Sequence, residues 1–195
     1  MRPLALLTFQ TLDGVMQAPM QPDEDPSGGF RCGGWASPFA EAVMAQILEE
    51  VMKDRRDLLF GRKTYELFAG YWPQVGDDDP VARFLNHADK YVVTSSEEPL
   101  DWRGSTAIRG NLAESITRLK EQEGPPLQVH GSWQLIQALL AHGLVDELRL
   151  WTFPIVAGHG KRLFGPGTPA LNLQHLDSRM TPQGVTMSYY RRSPG

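Results

Sequence analysis

Between Leu127 and Phe164 the chain reads LQVHGSWQLIQALLAHGLVDELRLWTFPIVAGHGKRLF, and this stretch constrains the fold more than any other. An apolar run ends at Val129 and breaks at Gly131. Trp133, Leu135, Ile136, Leu139 and Leu140 then repeat with the spacing of one helical face. Gly143 reads as the residue that ends the helix, and a second apolar segment follows from Val145 to Val156. Strand, glycine turn, helix and strand together make a right-handed parallel crossover unit, and ligands of open α/β sheets sit at such turns. Gly131 admits a close backbone approach, Ser132 can cap the helix, and the first-turn amides suit an anion such as a phosphate. Gly-Ser before a helix is also an ordinary cap, so the motif needs support from elsewhere in the chain.

With 195 residues, 41% hydrophobic and 22% charged, the sequence fills one core, and residues 1–195 read as one domain. A net charge of −4 without a basic run argues against nucleic acid or an anionic membrane surface as partner. The apolar runs are far shorter than a membrane span, so a cytoplasmic protein is expected. Cys32 stands alone and the five histidines are scattered, which gives no support to a disulfide or a metal site.

Pro3 to Phe9 suits a buried strand that stops at the Thr11-Leu12-Asp13-Gly14 turn. Residues 17–38 lack periodicity and form a long loop, in which Phe30 and Trp35 suit either a lid over a site or the edge of the core. Ser37 and Pro38 then open a helix bearing Val43, Met44, Ile47, Leu48, Val51 and Met52 on one face. Glu41 in its first turn is explained first by the helix dipole, and its place next to the long loop would also suit a substrate-orienting acid.

The strand Asp57–Phe60 runs into Gly61-Arg62-Lys63-Thr64 at a helix start. Cations there oppose the helix dipole, and an anionic ligand would remove the conflict. Asp79-Pro80 opens a short helix, the strand Lys90–Val93 ends in Thr94-Ser95-Ser96, and Asn111 caps another helix. Leu171–Leu176 and Val185–Arg191, separated by Thr181-Pro182-Gln183-Gly184, read as a C-terminal antiparallel hairpin. The fold class is therefore α/β: a mixed, mainly parallel sheet with helices on both faces.

Taken in order, Thr11-Leu12-Asp13-Gly14, Gly61-Arg62-Lys63-Thr64-Tyr65-Glu66, Thr94-Ser95-Ser96, Val129-His130-Gly131-Ser132, Leu144-Val145-Asp146-Glu147-Leu148 and the run Pro154 to Phe164 resemble the dihydrofolate reductase superfamily. The resemblance is closer to the reductase domain of the bifunctional riboflavin-biosynthesis deaminase-reductase and its stand-alone relatives, and it covers nearly the whole chain. It implies a three-layer dihydrofolate reductase-like fold and NADPH as hydride donor. The nicotinamide would lie near the first turn and Gly131, and the pyrophosphate on the Thr64 and Ser132 helix ends. Gly61, Arg62, Lys63, Thr64, Thr94, Ser95, Ser96, His130, Gly131, Ser132 and Trp133 become the cofactor set, with Arg62, Lys63, Ser95 and Ser96 facing the 2′-phosphate.

Hydride transfer asks mainly for two aligned flat rings in a dry pocket. Trp35, Phe39 and Trp72 are the candidates to stack on a planar heterocycle, and the resemblance makes Glu41 and Asp13 the candidate catalytic carboxylates. The family's Gly-Gly turn reads Gly131-Ser132 here, which puts in question a non-proline cis peptide that costs about 3 kcal/mol. The expected activity is NADPH-dependent reduction of a pyrimidinone-like or pterin-like ring. The alternative is a catalytically silent NADPH-binding sensor. The resemblance also implies a homodimer, for which Leu150, Trp151 and Phe153 are candidates alongside a plain core role.

Overall fold

The computed structural model describes residues 1–193, without the side chains of Val51, Met52 and Lys53. Its elements are β1 (Leu4–Thr11), α1 (Ala40–Lys53), β2 (Asp57–Gly61), α2 (Arg62–Ala69), α3 (Trp72–Val75), α4 (Pro80–His87), β3 (Lys90–Val93), β4 (Ser105–Ile108), α5 (Leu112–Glu121), β5 (Leu127–Gly131), α6 (Trp133–Ala141), β6 (Glu147–Phe153), β7 (Leu173–Met180) and β8 (Thr186–Arg192). The strands form one sheet in the order β4-β3-β2-β5-β1-β6-β8-β7. The first six are parallel, while β8 and β7 close the other edge antiparallel, as the hairpin pattern predicts.

Continuous apolar runs make central strands because helices cover both faces of the sheet. Leu4, Leu6, Leu127 and Val129 pack on one face against Ile116 and Leu119 of α5 and Leu135, Ile136 and Leu139 of α6. On the other face, Trp151, Phe153 and Met187 pack with Val43 of α1, and Leu58 and Phe60 pack with Tyr65 of α2 and Leu85 of α4. This is the expected three-layer fold. Leu150, Trp151 and Phe153 are core residues and offer no dimer surface.

Local signals decide where several helices start. Asp79 accepts from the amides of Val81 and Ala82, and Asn111 accepts from that of Glu114, as their positions in the sequence predict. Two predicted caps differ. The Ser37 hydroxyl donates to the Met20 carbonyl, 2.5 Å away, so Ser37 and Pro38 lie in a separate short turn and α1 begins at Ala40 without a side-chain cap. Ser132 likewise makes no cap bond to α6.

The end of the sheet where parallel strands begin is tied by ion pairs in which Arg2, Asp57 and Lys120 are buried. Arg2 bonds the Asp57 carboxylate at the start of β2, and its Nε donates to the Pro125 carbonyl at 2.6 Å. Lys120 pairs with Asp146 at 2.6 Å, and Asp146 also accepts from the Leu4 amide at 2.7 Å. Charge at that rim is spent on structure.

The long loop is a strap. Phe30 and Trp35 are buried, the Gln17 amide donates to the carbonyls of Asp25 and Ser27, and Lys161 reaches Asp25 at 2.5 Å. Of the two readings open for its aromatics, core packing is the one the structure adopts.

Candidate functional site

Because β1, β2, β3 and β5 run parallel, their C-terminal ends share one rim of the sheet, where the strand order β3-β2-β5-β1 sets four turns side by side. These are Thr94–Ser96, Gly61–Thr64, Gly131–Trp133 and Thr11–Gly14. The middle two interlock. A Cβ on Gly131 would stand 2.6 Å from Thr64 Oγ1, and one on Gly61 would collide with the Ser132 hydroxyl, so each glycine is required by the opposing turn. The Gly131–Ser132 peptide is cis.

The first turns of α2 and α6 open at this rim with no side-chain cap, which leaves their N–H groups directed outward at the positive ends of two helix dipoles. That arrangement suits a phosphate-bearing ligand. Thr94 is buried and accepts from the Ser96 amide at 3.0 Å, while Ser95 is exposed, as is Lys63. The Trp133 indole donates to the Arg162 carbonyl at 2.9 Å and ties α6 to the segment that follows β6.

Arg62 departs from the electrostatic expectation. Its Nε donates to Glu66 at 2.6 Å and its terminal nitrogen to Glu98 at 3.1 Å, so carboxylates of the chain itself offset the cation at the helix start. The Glu66 partnership raises the Arg62 pKa further. A groove of about 690 Å³ runs along the outer flank of α2 past Arg62, Glu66, His87 and Trp102, and neither Gly131–Trp133 nor Thr94–Ser96 lines it.

The two carboxylates expected to be catalytic fare differently. Asp13 accepts from the Thr11 hydroxyl at 2.6 Å, the Ala157 and Gly158 amides at 3.0 and 2.9 Å, and Arg162 at 3.3 Å. These donors, the Thr11 hydroxyl foremost, hold its carboxyl far below the usual carboxylate range. Asp13 is thus an anchor between the first turn and residues 157–162. Glu41 is exposed in the first turn of α1 with no hydrogen bond or ion pair among the described residues.

The aromatic set is rearranged as well. Trp35 donates its indole N–H to the Gln17 carbonyl at 2.8 Å and sets its edge on Phe153 at 5.2 Å, so it is core and not a free stacking surface. Phe39 also meets Phe153 edge-on but stays partly exposed. Trp72 sits beside Phe68, 6.4 Å between ring centres.

The His130 ring does not join the glycine turns. It turns onto the α1–α2 face of the sheet, 6.1 Å from the Phe60 ring and 5.8 Å from that of Phe68. Its Nε2 lies 3.0 Å from the Gln128 amide nitrogen, and burial lowers its pKa to about 4, which leaves a neutral imidazole. Sequence reasoning missed Gln128 and Phe68. The signal for Gln128 was a lone amide inside the buried run LQV; Phe68 reads as ordinary helix packing until its neighbour is known.

Known proteins carry the same layout. Residues 3–187 match the family model described as RibD C-terminal domain. YyaP of Bacillus subtilis (strain 168), described as an uncharacterized protein, is 31% identical over 136 residues, covering 68% of this chain and 72% of that protein. A putative riboflavin biosynthesis protein from Shewanella sp. PV-4 superposes with a TM-score of 0.66 at 20% identity over 100% of both chains. A dihydrofolate reductase from Enterococcus faecalis complexed with NADP(H) superposes with a TM-score of 0.59 at 14% identity, covering 98% of this chain and 97% of that one. With nearly its whole length matched and its interlocked turns on one rim, the chain belongs to the RibD C-terminal domain family.

Proposed function

We propose that the protein is an NADPH-dependent reductase of a small planar nitrogen heterocycle, pyrimidinone-like or pterin-like. The observation that carries this reading is the pair of uncapped helix starts held together by Gly61 and Gly131. The backbone of Gly61–Thr64 and Gly131–Trp133 would bind the pyrophosphate. Arg62, Lys63, Ser95 and Ser96 would take the 2′-phosphate, with Arg62 released from exposed Glu98, since such a surface pair is worth about 1 kcal/mol or less. When bound, the cofactor supplies the hydride. The chain's own part is to align the rings and keep water out with Phe39, Phe68 and Trp72.

NADPH at tenfold its dissociation constant is expected to stabilise the fold by about 1.4 kcal/mol in thermal melts, with NADH weaker. Equal melts with and without NADPH would overturn the reading. Oxidation of NADPH with pyrimidinones and pterins then separates a reductase from a silent binding module.

For the homodimer we propose edge strand β7, whose eight residues are all exposed and include Leu173, Leu176 and Met180. Sedimentation equilibrium is expected to show two chains, and Leu176→Lys one. A parent that stays monomeric at micromolar concentration would exclude it.

A further inference from the structure

The loop that follows β3 is shaped by its own hydroxyls and then met by two arginines. Thr94 Oγ1 accepts from the Ser96 amide at 3.0 Å, and Ser96 Oγ accepts from the Glu98 amide at 3.2 Å. These successive turns set Glu97 and Glu98 next to Ser96. Arg109, just past β4, donates to the Ser96 carbonyl at 2.8 Å and lies 3.4 Å from the Glu97 carboxylate. Arg62 comes from the start of α2 and takes Glu98 twice, with one terminal nitrogen on its carbonyl and the other on its carboxylate, each at 3.1 Å.

A doubly charged phosphate is held best where cations are in excess. Here Arg62 and Arg109 are met by Glu66, Glu97 and Glu98, so no excess exists. The three carboxylates differ in what they take. Glu66 is an ordinary partner one helical turn away and uses only the Nε side of Arg62. Glu97 meets Arg109, which the Ser96 carbonyl also holds. Glu98 alone claims both terminal nitrogens of Arg62, the pair of donors that would grip a phosphate. The Glu98 side chain is 74% exposed, so the fold gains little from the contact. A 2′-phosphate can take Arg62 only by displacing this carboxylate, whereas a 2′-hydroxyl makes no such demand.

We propose that Glu98 is a specificity-determining residue: by holding Arg62 it competes with the 2′-phosphate and lowers the preference of the protein for NADPH over NADH. The inference rests on the reductase reading above and adds to it the residue that limits cofactor discrimination.

The test is fluorescence titration of NADPH and of NADH into the parent and Glu98→Gln. Glutamine keeps the backbone carbonyl that Arg62 also uses, so the guanidinium stays in place while the competing charge is gone. At low salt, NADPH is expected to bind Glu98→Gln about three- to fivefold more tightly than the parent, with NADH changed by less than about 1.5-fold. Screening should reduce the NADPH gain to about 1.5-fold at ~0.5 M salt. In an Arg62→Gln background the same substitution should give a gain of about 1.5-fold or less, because no guanidinium is left to release. An equal gain for both cofactors, no gain for NADPH, or an undiminished gain in the Arg62→Gln background would overturn the proposal while NADPH still raises the melting temperature of the parent. A parent whose melting temperature NADPH leaves unmoved instead removes the reductase reading, and the role of Glu98 with it.

Discussion

Gly131→Ala is expected to weaken NADPH binding by at least about 100-fold, close to 3 kcal/mol, while costing the fold about 1–3 kcal/mol. The added methyl would stand 2.6 Å from Thr64 Oγ1, so the two central turns must part, and the first-turn amides of α2 and α6 no longer converge on one ligand. Preorganised donors that lose their relative position lose their combined effect on the anion. Gly165→Ala is the control. A Cβ there meets nothing within 4 Å, and stability should stay within about 0.5 kcal/mol of the parent. Fluorescence titration with NADPH and a denaturant melt of each variant measure both effects. Undiminished affinity in Gly131→Ala would remove the interlocked turns from the site.

Acid should destabilise the protein before its carboxylates begin to titrate. The His130 imidazole is neutral in the fold down to about 4, whereas the unfolded chain takes up its proton near the ordinary 6.5. The unfolded state therefore binds more protons between these limits. The stabilisation is complete above pH 6.5 and is lost as pH falls toward 4, by up to about 3 kcal/mol. Asp13 and Asp25, both held below the usual carboxylate range, lose their contributions only at lower pH, and Glu24, raised by burial, acts with the opposite sign. The difference between parent and His130→Leu across pH 4 to 7 isolates the histidine. Parallel stability curves for the two proteins would show that the ring takes up its proton in the fold as readily as in the unfolded chain.

How far the site was legible depends on how local each signal is. The Asp79 and Asn111 caps act within three residues of themselves, and both stand in the structure where the sequence places them. Ser37 and Ser132 carry the same chemistry, yet the Ser37 hydroxyl is taken by Met20, seventeen residues away, and Ser132 is turned toward Gly61 on another turn. Arg62 shows the same limit for charge. A cation at a helix start suggested a missing anion, but Glu98, thirty-six residues on, returns to meet it. Asp13 and Trp35 changed role for the same reason, since the amides of Ala157 and Gly158 and the ring of Phe153 reach them only through the closed sheet.

By itself, then, the order of apolar runs, helix faces and glycine turns determined a parallel sheet, its antiparallel edge and the rim where a ligand would lie. These follow from periodicity and backbone freedom, which neighbouring residues specify. Which polar atoms at that rim remain unspent was decided by tertiary structure alone. A donor or a carboxylate has many possible partners along a chain, and only the packed strands and helices bring one of them within 3 Å or so.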